Sequence, residues 1–235
     1  MNYKTIFIVT FGRTGSTLLQ GMLNSIDGVV IRGEGKGFLL PLFHSYRLLD
    51  EGRRQSAGIG INPEDPYYGI NNFDGNEYLS DIHNMVKKYW LKGFESEEVK
   101  CFGYKEVTYL GIQTRQEFND YLDWLHFAFP DSALLFLTRD LDQVINSGMW
   151  KKRNSLNLMD KFVTAKSRFA AYAAQDENSF EITYEDIVSK NERLQSMFEF
   201  LGIEYSQEIV DKVLDRPHSV GQKKKIQQLR RLELD

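Results

Sequence analysis

The sequence predicts an α/β fold: a three-layer sandwich with a central, mostly parallel sheet. Three observations support this. Two short apolar runs, Ile6-Phe7-Ile8-Val9 and Ala133-Leu134-Leu135-Phe136-Leu137, have the length and composition of strands buried on both faces. Segments with helical apolar spacing lie between such runs, and strand–helix alternation implies a parallel sheet covered by helices. The first run enters a turn rich in Gly, Ser and Thr, spanning residues 10–17, that leads into an amphipathic segment.

In chain order, residues 4–10 read as the first strand, 14–25 as the first helix and 28–32 as a short second strand. A Gly-rich turn follows, Gly33-Glu34-Gly35-Lys36-Gly37, and then a helical pattern over 38–49. Residues 51–76 are rich in Gly, Pro, Asn and Asp, which predicts a long loop, read as an acceptor-site lid with Tyr67, Tyr68 and Phe73 available for stacking on a sugar. A helix is expected at 78–91, a strand at 99–107 and an aromatic helix at 115–129, stopped by Pro130. Residues 133–138 form the clearest buried strand. Helices at 141–151 and 158–175, a strand at 180–183 and helices at 192–201 and 207–214 complete the pattern. The tail at 216–235 is locally basic, with Lys223-Lys224-Lys225 at its centre.

The 235 residues fit a single domain spanning 1–235, and 42% hydrophobic residues allow a sizeable core. A formal net charge of −4 argues against a general nucleic-acid binder. Cys101 is the sole cysteine, so neither a disulfide framework nor a cysteine-based zinc site is expected. With no signal-peptide pattern and no apolar run of transmembrane length, a cytoplasmic enzyme is the expectation.

A glycine-bearing turn between strand and helix presents backbone N–H groups to an anion. Gly12 and Gly15 let the backbone approach it, Ser16 and Thr17 add hydroxyls, and Arg13 adds a fork of positive donors. The loop of a nucleotide triphosphatase requires Gly-x-x-x-x-Gly-Lys-[Ser/Thr]; here the glycines are too close together and no Lys follows Gly15. Asp140 could pose as the strand-end carboxylate that supports magnesium, but it directly follows Arg139. The triphosphatase reading therefore fails on spacing; a P-loop-like nucleotide-dependent kinase and a non-catalytic nucleotide-binding module are the alternatives. Arg139 at a strand end, with Ser147 eight residues on, is suited to a second phosphate. Two phosphate sites on one sheet suit a nucleotide phosphorylated at both ends of its ribose.

These residues resemble the sulfotransferases that use 3′-phosphoadenosine 5′-phosphosulfate (PAPS). Phe11-Gly12-Arg13-Thr14-Gly15-Ser16-Thr17-Leu18-Leu19 is similar to that family's 5′-phosphosulfate loop, with Arg13 where many members have Lys. Phe136-Leu137-Thr138-Arg139-Asp140 with Ser147 resembles its 3′-phosphate motif, and Tyr184-Glu185-Asp186 resembles an element whose Tyr lies near the nucleotide. Phe200-Leu201-Gly202-Ile203 resembles the phrase that usually follows. The resemblance implies a P-loop-like sulfotransferase fold and nucleotide contacts from Arg13, Thr14, Gly15, Ser16, Thr17, Arg139, Ser147 and Tyr184, with Lys223 and Lys224 standing near the place of the family's terminal phosphate clamp. Leu18 replaces the aromatic that stacks on adenine in small-molecule members. That departure, the weak terminal clamp and Gly33-Glu34-Gly35 lean towards bacterial and carbohydrate-type members, whose acceptors are sugars or glycolipids.

Sulfuryl transfer needs a base on the acceptor and neutralisation of charge on the sulfuryl and leaving phosphate. Arg13 and its loop would serve the charge, with Lys105 as a second cation; no metal is called for, and no metal-ligand cluster is evident. Glu34, between two glycines at a strand end, is the favoured base, as the resemblance also implies; His44 and then Glu106 are the alternatives. Plainer readings stay open: Glu34 as an ion-pair partner of Arg32 or Lys36, Lys105 as a partner of Glu106, and Lys223–Lys225 as a solvated tail.

Overall fold

A computed structural model describes residues 1–95, 98–148, 150 and 155–216, without the side chains of 155 and 156. Its centre is a five-stranded sheet in the order β2-β3-β1-β4-β5, with β1 Thr5–Val9, β2 Val29–Arg32, β3 Cys101–Glu106, β4 Ser132–Thr138 and β5 Ser179–Thr183. Every neighbouring pair is parallel; in the middle, Phe7 faces Tyr104 on one side and Leu134 on the other.

The two-residue alternation of strand side chains divides the core into two layers. Phe7, Val9, Phe102, Tyr104, Leu134 and Phe136 pack towards helices α2 (Leu39–Gln55), α3 (Gly75–Trp90), α4 (Arg115–Ala128) and α6 (Ser155–Ala173). Ile6, Ile8, Ile31, Leu135, Leu137 and Ile182 pack towards α1 (Ser16–Leu23), α7 (Tyr184–Ser189), α8 (Glu192–Leu201) and α9 (Gln207–Leu214). This is the three-layer α/β sandwich that the sequence predicts. Burying each Phe or Leu of these layers is worth about 1.5–3 kcal/mol. Among the described residues, no helix is long and apolar enough to cross a membrane.

The chain leaves β1 through α1 towards β2, on one face, and leaves β4 through α5 (Leu141–Ile145) and α6 towards β5, on the other. The carboxyl ends of β1 and β4 therefore flank the crevice in which open α/β sheets hold their ligands.

Several boundaries differ from expectation, each for a local reason. α2 continues to Gln55, through residues read as loop, because Asp50 pairs with Arg53 and Arg54 at 3.0 Å each and Gln55 bonds Glu51. Pro41 is accommodated because it lies in the first turn of that helix. α5 stops at Ile145, short of the predicted helix, and Gly148 adopts a left-handed conformation. The Tyr-Glu-Asp element forms a helix of its own, α7, started by a reciprocal capping box between Thr183 and Asp186. Residues 56–73 are organised as well: the Asp65 carboxylate accepts from the N–H groups of Gly60, Ile61 and Asn62. Phe73 packs against Tyr46 and Tyr78, leaving Tyr67 and Tyr68 exposed.

Candidate functional site

Between β1 and α1 the chain turns through two left-handed residues, Arg13 at φ 78° and Gly15 at φ 86°. Buried hydroxyls fix this turn. Those of Thr10 and Thr14 lie 2.6 Å apart, and they reach the Leu137 carbonyl (2.7 Å) and the Phe11 carbonyl (3.0 Å). Thr14 is fully buried and its hydroxyl is spent on fixing the turn. Gly15 caps α1 without a side-chain acceptor, and no acidic residue occupies the first turn. The N–H groups of Ser16 and Thr17 have no carbonyl within the helix to meet, as at every helix start, and the helix dipole adds positive potential there.

The second group of predicted residues lies against this loop. The Arg13 guanidinium donates to the Ser147 hydroxyl at 3.3 Å, and that hydroxyl donates to the Val144 carbonyl at 2.9 Å. Arg139 donates to the Arg13 carbonyl (3.4 Å) and to Gln143 (2.7 Å), while its guanidinium carbon lies 4.1 Å from the centre of the Tyr184 ring. The Arg139 Nε is buried with no hydrogen-bond partner among the described residues. Gly15 is required for close approach as well as for its φ, since a Cβ there would strike the Tyr184 ring. Arg13, Gly15, Arg139, Ser147 and Tyr184 are thus gathered at one crevice from four separate stretches of chain. Asp140 caps α5, its Oδ1 accepting from the Gln143 N–H at 2.9 Å. Trp150 covers the loop: its indole donates to the Gly12 carbonyl at 3.1 Å.

A third cluster forms at the tips of β2 and β3. Lys105 is buried, with a side chain 4% exposed, and pairs with the half-exposed Glu34. Arg32, the alternative partner for Glu34, donates instead to the carbonyls of Trp90 (2.6 Å) and Lys92 (3.1 Å). On either side of Lys105, Tyr104 and Glu106 face the opposite way and hold the turn that carries Glu34. Glu106 accepts from the Gly37 N–H (2.6 Å), the Val107 N–H (2.7 Å) and the Tyr104 hydroxyl. The Tyr104 oxygen in turn accepts from the Gly35 N–H at 2.5 Å. Burial, followed by the bond to Glu106, pushes the Tyr104 phenol far above its ordinary range. Glu106 is buried and accepts three hydrogen bonds, a supporting position rather than that of a base. His44 sits between α2 and α4, 3.0 Å from Glu117.

Sequence reasoning missed the supporting roles of Tyr104 and Glu106. The signal was present: residues two apart on a strand share a face, and both stand opposite a Gly-rich turn. Lys223, Lys224 and nearly all of the basic 216–235 tail lie outside the described residues. Among those described, no group of three or more His, Cys, Asp or Glu side chains is placed to hold a metal ion.

A doubly wound sheet with a glycine-bearing strand–loop–helix at its switch point defines the structural class. The chain belongs to the sulfotransferase family, which matches residues 5–207. No curated protein matches. Among solved structures, it is similar to sulfotransferase STF9 from Mycobacterium avium (14% identity, 92% of this chain and 68% of that one, TM-score 0.43). It is also similar to a retinol dehydratase in complex with androsterone and the inactive cofactor PAP (14% identity, 91% of this chain, TM-score 0.37). A sugar kinase from Janibacter sp. shares 17% identity over 86% of this chain and 95% of its own (TM-score 0.40). The chain spans 64% of the length of the retinol dehydratase.

Proposed function

We propose that this protein transfers the sulfuryl group of PAPS to a hydroxyl of a carbohydrate or glycolipid. The observation that carries this reading is the convergence of Arg13, Arg139, Ser147 and Tyr184 on the loop before α1. Two guanidinium groups from separate elements, beside a helix start, suit two separate phosphates better than one. Membership of the sulfotransferase family supports PAPS as the donor.

In this reading the backbone N–H groups of Gly15, Ser16 and Thr17, the hydroxyls of Ser16 and Thr17, and Arg13 receive the 5′-phosphosulfate. Arg139 and Ser147 receive the 3′-phosphate, with Tyr184 beside the nucleotide; Lys223 and Lys224, outside the described residues, are assigned to the same nucleotide by the family resemblance alone. The acceptor oxygen attacks sulfur in line as its proton passes to Glu34. The bond from sulfur to the bridging oxygen breaks, and the electron pair leaves with the 5′-phosphate of PAP. Charge grows on that phosphate in the transition state, where fixed donors such as Arg13 act most strongly. Lys105 pairs with Glu34 and stands ready to contact the sulfuryl oxygens.

Labelled PAPS offered to a panel of sugars and glycolipids tests the reaction. The expected result is labelled sulfate on a hydroxyl acceptor, reduced about 10²–10⁴-fold by Glu34→Gln with PAP affinity retained. A panel yielding no transfer, with magnesium-dependent transfer from ATP in its place, contradicts the reading.

A further inference from the structure

At the opposite end of the sheet from the crevice lies a cavity of about 650 Å³. It opens at the strand starts, where Lys4, Lys100 and Asp131 precede β1, β3 and β4. Its size is within the range of about 300–1,000 Å³ usual for small-molecule sites. Leu79, Leu91, Val99, Phe102 and Phe127 supply apolar wall, and Phe127 is left 70% exposed. Three lysines, Lys4, Lys87 and Lys100, line it against a single carboxylate, Asp131, which Lys4 already pairs at 2.7 Å. Lys87 and Lys100 form no ion pair among the described residues. His83, also in the lining, adds no charge to this balance. Its Nδ1 meets the Ala128 carbonyl at 3.2 Å, and burial holds its pKa below the ordinary value.

An apolar wall with a surplus of two cations complements one kind of ligand. We propose that this cavity binds an amphipathic organic anion, with an apolar body against Leu79, Phe102 and Phe127 and one acidic head at Lys87 and Lys100. The nucleotide crevice has no part in this site, so the inference stands independently of the proposed reaction.

The test is isothermal titration of the full chain with hexanoate, octanoate and decanoate, each below its micellar concentration, and with 1-decanol as the uncharged control. Burial of each added methylene is worth about fourfold in affinity, so one-to-one binding should tighten about tenfold or more from one acid to the next. Decanol should bind about two- to fivefold more weakly than decanoate. Leu79→Trp, which crowds the apolar wall, should weaken decanoate binding, and the double charge reversal Lys87→Glu, Lys100→Glu should weaken it at least about tenfold. Circular dichroism and a cooperative melt establish that each variant is folded, and Arg139→Ala should bind decanoate unchanged. The inference is overturned by absent or unsaturable decanoate binding, by affinity indifferent to chain length or to the carboxylate, or by folded cavity variants that bind as the parent does.

Discussion

Arg13 illustrates how a single residue links backbone strain to chemistry. A non-glycine residue held in the left-handed region costs about 1–3 kcal/mol, so the surrounding contacts must determine it. They do so from both ends: its guanidinium meets Ser147 and its carbonyl receives Arg139. Arg13→Ala should lower turnover about 10²–10³-fold, the usual cost of losing one donor to developing charge. Arg13→Lys should retain most of it. Steady-state kinetics of the two variants decides the matter, since equal losses would show that packing rather than charge is what Arg13 supplies. Cys101 gives a simpler prediction. Burial pushes its thiol up to about 12, so it should resist alkylation by iodoacetamide in the folded protein and react once unfolded.

Among the elements, the tip of β3 carries the most unexpected organisation. Lys105 pairs with Glu34 while Tyr104 and Glu106, facing the other way, fix the backbone of the turn that bears it. Glu106→Ala would leave the Gly37 and Val107 N–H groups and the Tyr104 hydroxyl without their acceptor. Each buried group left unpaired costs about 1–3 kcal/mol. The expected outcome is a large fall in melting temperature, whereas Tyr104→Phe should be milder in stability yet slow turnover with PAP affinity kept. Unchanged turnover in Tyr104→Phe would separate the turn from the chemistry. This network explains why Glu106 reads ambiguously in sequence: a carboxylate at a strand tip looks like a base until its donors are known. The same holds for the end of α2. The stretch from there on, rich in Gly, Pro, Asn and Asp, suggests a loop, and side-chain pairing to Asp50 and Glu51 carries the helix onward. By contrast, β1 and β4 were legible because a buried parallel strand needs little besides apolar residues. The turn at 10–17 was legible because the glycine demanded by a left-handed position is itself in the sequence. Arg13 in that same conformation was not, since contacts distant in sequence impose it.

For the molecule as a whole, titrating groups set a stability window. Burial alone would raise Asp176 and Asp186, but hydrogen bonds outweigh it, from His126 and Ser179 in the first case and Asn191 and Thr183 in the second. Both end below the ordinary carboxylate value, so their stabilisation is present above about pH 4 and is lost as pH falls through their folded values. Burial raises the phenols of Tyr104, Tyr109, Tyr121 and Tyr172. Their contribution is full below about pH 10 and is lost as pH rises beyond it. Melting temperature should therefore be highest at intermediate pH and fall on both sides, with Asp176→Asn flattening the acid limb. A melt unchanged from pH 7 to pH 3 would contradict this. The central claim is that one crevice holds both phosphates of a bisphosphorylated nucleotide, and isothermal titration with PAP and AMP tests it most directly. Two charge-assisted contacts to the 3′-phosphate should favour PAP by about 100-fold, and Arg139→Ala should erase most of that preference while leaving AMP binding within a few-fold. Equal affinities for PAP and AMP in the parent protein would contradict the account.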